Sequence, residues 1–374
     1  MSKLKELIDK LCPDGVEYTK LDNILDYEQP TPYIVKSTEY NDSYNTPVLT
    51  AGQSFILGYT NEQNGIYKAD KNSPIIIFDD FTTSFHWVDF DFKVKSSAIK
   101  ILKPKLTFKG SFKYVLYTME CINFEAVNHT RHWISKYSQF EIPLPPIEVQ
   151  EEIVRILDNF TKCTAELQAE LQAREEQYEY YRNKLLSFEG RTDVELKKLG
   201  EVCKLGTGSH NTQDGLTEGQ YPFYTRGSEV LYLNDYDYDE TAIITAGDGA
   251  GVGKVFHFVK GKYALHQRAY RIVPNEKEVL PRFVYYYIGA TFYDYIMRNS
   301  VSSSVVSIRR PMMVNCPIPV PPLAEQQRIV DILDRFYTLT NDITAGLPAE
   351  IEARQNQYEF YRNKLLMFNK ILST

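Results

Sequence analysis

The chain has 374 residues, 43% hydrophobic and 24% charged, with a net charge of −7. That composition excludes a disordered chain and leaves room for two or three domains with their own cores. No apolar run approaches the ~20 residues of a membrane span, the start MSKLKELIDK has no apolar signal core, and five cysteines (Cys12, Cys121, Cys163, Cys203, Cys316) form no CxxC pair, so a cytoplasmic protein without membrane, disulfide framework or zinc site is expected.

In chain order, Leu4, Leu7, Ile8 and Leu11 predict a short amphipathic helix, followed by CPDGVEYTKLDNIL. The stretch 26–141 reads as a mixed domain. SPIIIFDDF (73–81) and SAIKIL (97–102) have the β-branched runs of buried strands, and SFKYVLYTMECINF (111–124) reads as a helix. Then comes IPLPPIEVQEEIVRILDNF (Ile142–Phe160), continuing to QYEYYRNKLLSF (Gln177–Phe188). Near copies recur as IPVPPLAEQQRIVDILDRF (Ile318–Phe336) and QYEFYRNKLLMF (Gln357–Phe368), an internal duplication. FEGRTDVELKKLGEV, after the first copy, resembles the N-terminal CPDGVEYTKLDNIL, with Lys198-Leu199 matching Lys20-Leu21. The chain is thus a two-unit cycle cut open at one point. Residues 191–316 repeat the mixed layout: strand, glycine turn and strand over 241–258, then a helix over 282–297.

The repeated stretches read as long helices. Apolar residues fall at Val149, Ile153, Ile156, Phe160, Cys163, Leu167, Leu171, Tyr178, Tyr181, Leu185 and Phe188. This is a coiled-coil seam with a four-residue stutter in the tandem AELQAELQ, 165–172. About 40 residues make a rod of roughly 60 Å. In the second copy Gly346 and Pro348, in TAGLPAE, predict a break. Two such helices running opposite ways between the same two domains should pair antiparallel about a pseudo-twofold axis. The expected fold class is therefore α+β: two mixed α/β domains joined by a pair of long antiparallel coiled-coil helices. The expected divisions are 1–146 and 189–322 for the domains, 147–188 and 323–374 for the helices.

Charge is uneven along the chain. Residues 147–190 hold ten acids and five bases, whereas 191–316 hold fourteen acids and fifteen bases. An acidic protein can therefore still carry local basic patches on its domains. Catalytic constellations are not evident. GDGAGVGK (247–254) fails as a phosphate-binding loop, which would need glycine at Asp248 and Ser or Thr at Val255, and reads as a glycine-rich β-turn. GxSxG, HExxH and the kinase set do not occur. Polar, aromatic and basic residues gather instead in predicted loops. HTRHWISKYS contributes His129, Arg131, His132, Trp133 and Lys136; NSVSSSVVSIRRP, in the equivalent place, contributes Ser303, Arg309 and Arg310. Arg226 and Ser228 of TRGSE, Lys254, and His266, Gln267 and Arg268 complete a candidate DNA-binding set. Amides, hydroxyls and cations are the groups that bond phosphates and base edges.

The proline-led repeats, the two YRNKLL endings and CPDGVEY resemble the specificity subunit of type I restriction-modification systems, over nearly the whole chain. The resemblance implies two target-recognition domains, each reading one half of a split site in double-stranded DNA, with helices that set the spacing. It implies docking of two methyltransferase subunits, which bind S-adenosylmethionine, and of restriction subunits, which use ATP with Mg. It implies no catalysis and no cofactor in this chain. A coiled-coil scaffold joining two protein-binding domains without DNA stays open as the alternative.

Overall fold

A computed structural model describes residues 2–52, 54–125, 130–299, 307–342 and 344–371. The elements run α1 (Ser2–Leu11), β1 (Glu17–Lys20), α2 (Leu21–Ile24), β2 (Leu25–Glu28), β3 (Thr46–Leu49), β4 (Ile56–Thr60), β5 (Ile75–Asp79), β6 (Phe85–Val88), β7 (Lys93–Val94), β8 (Ile99–Pro104), α3 (Phe112–Met119), β9 (Glu141–Leu144) and α4 (Ile147–Leu186). They continue with β10 (Glu195–Lys198), α5 (Leu199–Val202), β11 (Cys203–Thr207), β12 (Tyr221–Tyr224), β13 (Val230–Leu233), β14 (Tyr238–Ala246), β15 (Phe256–Leu265), β16 (Ala269–Pro274), α6 (Pro281–Asn299), α7 (Arg310–Asn315), β17 (Pro317–Val320), α8 (Leu323–Asn341) and α9 (Leu347–Leu365). The chain divides into two compact units: residues 1–166 with 352–374, and residues 167–351.

Unit 1 holds a four-stranded sheet in the order β2-β8-β5-β6, a three-stranded sheet β4-β3-β7 and the ribbon β1-β9. The run Ile75–Phe78 is wholly buried because the sheet is covered on both faces, which is why it is apolar without alternation. One core gathers Phe78, Val115, Leu116, Trp133 and Tyr137; a second gathers Leu49, Ile77, Phe92 and Ile101. The chain's two ends meet here: Val16 donates to Asn369 O at 2.9 Å, and Leu4, Val149, Ile153 and Leu365 share one cluster.

Unit 2 holds a six-stranded sheet, β11-β16-β14-β15-β12-β13, and the ribbon β10-β17. Helix α6 supplies Val284, Ile288, Phe292 and Ile296 to its main core. The ribbon matches the one in unit 1: Lys20 faces Glu141 there, and Lys198 faces Pro317 here.

Each repeat is anchored in its own unit by the same chemistry. Asp158 accepts from the Tyr117 hydroxyl and pairs with Lys113 Nζ at 3.2 Å. Asp334 accepts from the Tyr286 hydroxyl and pairs with Arg282 Nε at 2.8 Å. In both cases a cation and a tyrosine one helical turn apart on α3 or α6 clamp the aspartate of the ILD sequence.

Helix α4 is continuous for 40 residues, the long linker expected. Its seam is not uniformly buried. Val149 and Ile153 are buried as the seam predicts, but Ile156 and Leu185 are only half-buried, and their neighbours Leu157 and Leu186 are buried instead; Leu167 and Leu171 in the AELQ tandem are half-buried. A helix covered along one stripe only shows such partial burial, whereas its ends also lie on globular cores. Phe160 stacks on Tyr361 in unit 1, and Tyr181 stacks on Phe336 in unit 2. The second copy breaks where Gly346 and Pro348 predict. α8 stops at Asn341, Asp342 Oδ1 accepts from the Thr344 N–H at 2.8 Å, and α9 starts at Leu347. Helix α3 is shorter than the sequence suggests, ending at Met119. Cys121 N and Ile122 N close back onto Thr118 O and Met119 O, and Glu120 binds Tyr358 and Arg362 instead of continuing the helix.

Candidate nucleic-acid interface

The two units build the same loop scaffold from different residues. In unit 1, Thr50-Ala51-Gly52 follows β3; Gly52 N donates to Thr50 Oγ1 at 3.1 Å, and His86 Nε2 donates to Gly52 O at 3.1 Å. In unit 2, Thr225-Arg226-Gly227 follows β12; Gly227 N donates to Thr225 Oγ1 at 3.3 Å, and His257 Nε2 donates to Gly227 O at 3.2 Å. The equivalence extends to the segments before β9 and β17. His132 N donates to Asp80 O at 2.8 Å, and Ile308 N donates to Gly247 O at 2.8 Å. A threonine turn, a histidine brace and a crossing segment thus frame one surface in each unit.

In unit 2 that surface is concave and cationic. Arg226 from the β12–β13 loop and Arg268 from the β15–β16 turn both pair with Asp248 of the β14–β15 loop, at 2.8 and 3.0 Å. On one side lies a concavity of about 640 Å³ lined by Ser228, Gly249, Gly251 and Lys254 among others. On the other lies one of about 230 Å³ lined by Asn211, Thr212, Gln213 and Gln267. Arg226 borders both. Lys254 is exposed and rests over the Tyr293 ring, 5.2 Å from its centre. Arg309 and Arg310 are exposed at the start of α7, just after Ser307, which bridges to Asp248. Arg226 and Arg268 hold the Asp248 carboxyl below its ordinary value despite partial burial, which pushes the other way, so the anion persists between its two cations.

His266 takes a different part from the one expected. It is 4% exposed, and its Nδ1 accepts the Arg268 N–H at 3.0 Å, which shapes the turn that presents Gln267 and Arg268. Burial, followed by the nearby Arg226 charge, lowers its pKa, so the ring is neutral.

Unit 1 requires a larger correction. Arg131 and Lys136 are exposed, but His132 and Trp133 are 1% and 2% exposed. Trp133 packs edge-on to Phe78 at 5.0 Å and its backbone N–H donates to Asp80 Oδ1 at 2.9 Å. His132 packs against the Phe124 ring. Both are core residues: Trp133 clusters with Ile76, Phe78 and Leu102 of the sheet strands, and the His132 backbone N–H is tied to Asp80 O just after β5. The aromatic residue counted in this candidate DNA-binding loop belongs to the core instead. Asp80 also forms a buried pair with Lys100 at 3.3 Å, one that leaves both charges inside unit 1. His129 and Ser303 lie outside the described residues.

The residues that sequence reasoning missed are Asp248, Asn211, Thr212 and Gln213. Asp248 lies 22 and 20 positions from its two arginines, too far apart in the chain for any local pattern to join them. Its one signal is being the only acid within the glycine-rich loop.

Residues 13–176 and 191–353 each match the family model described as the type I restriction modification DNA specificity domain. The chain belongs to that family. It is a type I restriction-modification specificity subunit: a DNA-recognition protein with two recognition domains, itself non-catalytic. It is 44% identical to the EcoR124I/EcoR124II specificity subunit of Escherichia coli, across 99% of this chain and 98% of that one. It is 30% identical to a putative type I restriction enzyme specificity subunit of Haemophilus influenzae, across 99% and 100%. The fold is that of the S subunit crystal structure from M. genitalium, with a TM-score of 0.65 and 14% identity over 94% of this chain and 96% of that one. The DNA-free scaffold reading is thereby not favoured. No described helix of this specificity subunit is long and apolar enough to cross a membrane. Among its described residues no group of three or more His, Cys, Asp or Glu could hold a metal ion.

Proposed function

We propose that each recognition domain reads one half of a bipartite site in double-stranded DNA, with the domains at 1–146 and 189–322. One observation carries the reading for unit 2. Arg226, Ser228, Lys254, Gln267 and Arg268, drawn from three loops, meet on one concave surface, with Arg309 and Arg310 close by in the chain to its Ser307 edge. Such a surface offers forked donors for base edges and point charges for phosphates. For unit 1 the corresponding groups are Arg131 and Lys136 together with the hydroxyls of Thr82 and Ser84, in the loop that faces Ala51. The modest basic content of both domains fits a chain that grips phosphate mainly with the help of partner subunits.

The helices at 147–188 and 323–374 serve as the spacer and as the platform for two methyltransferase subunits. Their acidic outer faces, including the exposed Glu151, Glu175 and Glu176, support the second role. S-adenosylmethionine would be bound by those methyltransferase subunits, and ATP with Mg by restriction subunits; the complex would be cytoplasmic. Methylome sequencing of cells with and without this chain tests the reading. A bipartite methylated motif that appears only with the chain is expected. Its absence, with the partner subunits present and active on another specificity subunit, would refute it. Charge reversal at Glu151, Glu175 and Glu176 together is expected to abolish co-purification with the methyltransferase; retention would remove those residues from the interface.

A further inference from the structure

We propose that Asp248 is a positioning residue for DNA readout: it holds Arg226 and Arg268 as one two-pronged cation that discriminates guanine within the half-site read by unit 2. The inference rests on the reading of that surface as DNA-facing. The anion lies inside and the cations outside: the Asp248 side chain is 19% exposed, Arg226 41% and Arg268 63%. Each guanidinium gives one Nη1 to the carboxylate, and each to a different oxygen. The Nε and Nη2 donors of both arginines are left without a partner among the described residues. That free edge of a planar fork is the one that matches O6 and N7 of guanine in the major groove. An exposed ion pair contributes little to stability, so orientation is the better account of a carboxylate shared by two half-exposed arginines.

The glycines around Asp248 serve the same arrangement. Gly247 N donates to Arg268 O at 2.9 Å, and a Cβ at Gly247 would strike that carbonyl. A Cβ at Gly251 would strike the Arg226 carbonyl. The loop therefore lies backbone to backbone against both arginines, an approach that only glycine permits. GDGAGVGK is shaped for this contact and not for a nucleotide phosphate.

Unit 1 lacks the device in a concerted way. Ala51 stands in the threonine turn where unit 2 has Arg226. Asp80 N donates to Ala98 O as Gly247 N does to Arg268 O, so Ala98 stands in place of Arg268 and Phe81 in place of Asp248. All three members are present in one unit and all three absent from the other, so the effect should be confined to one half-site.

The test uses the chain assembled with its methyltransferase subunits, bound to duplex libraries randomised in either half-site at several salt concentrations. Asp248→Asn is expected to cut discrimination at one or more G·C pairs of a single half-site by about ten- to a hundredfold. It should at the same time raise affinity for unrelated DNA, because a negative charge is lost from a cationic surface. Asp248→Glu should restore part of the discrimination. A uniform loss of affinity across all sequences, or loss at both half-sites, would make Asp248 a folding residue and overturn the inference. If Arg226→Ala and Arg268→Ala relax one half-site while Asp248→Asn does not, positioning alone is refuted. If the two arginine variants together leave both half-sites unchanged, the surface does not read DNA and both readings fall.

Discussion

Gln150 and Gln326 stand 176 positions apart and hold the start of each repeat helix in the same way. Gln150 Nε2 donates to Pro145 O at 2.7 Å, and its Oε1 accepts from Ser111 N at 2.8 Å. Gln326 Nε2 donates to Pro321 O and Glu278 O, and its Oε1 accepts from Leu280 N at 2.8 Å. Each amide thus ties the proline turn to the segment that opens α3 or α6. Gln326 is 0% exposed, so no water replaces what it satisfies. Gln326→Ala is expected to destabilise unit 2 by about 2–4 kcal/mol, since a buried group left unpaired costs ~1–3 kcal/mol. Calorimetry should show a melting temperature lower by roughly 5–15 °C at ~2–4 °C per kcal/mol. An unchanged transition would mean the clasp is not a stability element.

Trp133→Ala should act on folding and not on DNA contact. Removing a core aromatic costs ~3–5 kcal/mol, and Trp133 touches Phe78 and Tyr137 in the core of unit 1. Thermal unfolding should reveal the loss. A variant of wild-type stability with selectively impaired DNA binding would restore Trp133 as a contact residue.

Deleting Ala169–Gln172 removes one of the two AELQ tetrads from a stretch of α4 whose leucines are half-buried. Four helical residues span ~6 Å, close to two base pairs. The preferred spacer should change while both half-sites stay the same, as methylome sequencing would show. An unchanged spacer would remove α4 from the role of ruler.

His257 braces the Thr225-Arg226-Gly227 turn through Gly227 O. Burial lowers its pKa below the ordinary 6.5. A histidine harder to protonate folded than unfolded favours the folded state fully above about 6.5, and that favour is lost as pH falls through the lowered value. Buried, neutral His266 acts in the same direction. Stability of unit 2 should therefore decline below pH 6.5, and His257→Gln should flatten part of that decline. A wild-type melting temperature independent of pH between 7 and 5 would contradict the assignment.

The sequence by itself determined the architecture. Two 19-residue stretches, Ile142–Phe160 and Ile318–Phe336, identical at 11 positions, state a repeated structure directly in the chain. Heptad spacing marked the helices, and Gly346 with Pro348 marked the break, because helix periodicity and backbone restriction are local properties. The candidate site was legible only in part. Arg226, Ser228, Lys254, Gln267 and Arg268 could be picked for their chemistry, but nothing in the chain order said that they share a surface. Sequence also could not separate Trp133, which closes a core, from Arg309, which takes the equivalent backbone place and is exposed. Only tertiary structure decided these points. Burial and the convergence of Arg226, Asp248 and Arg268 arise from contacts between residues 20 or more positions apart, and such contacts leave no periodic trace along the chain.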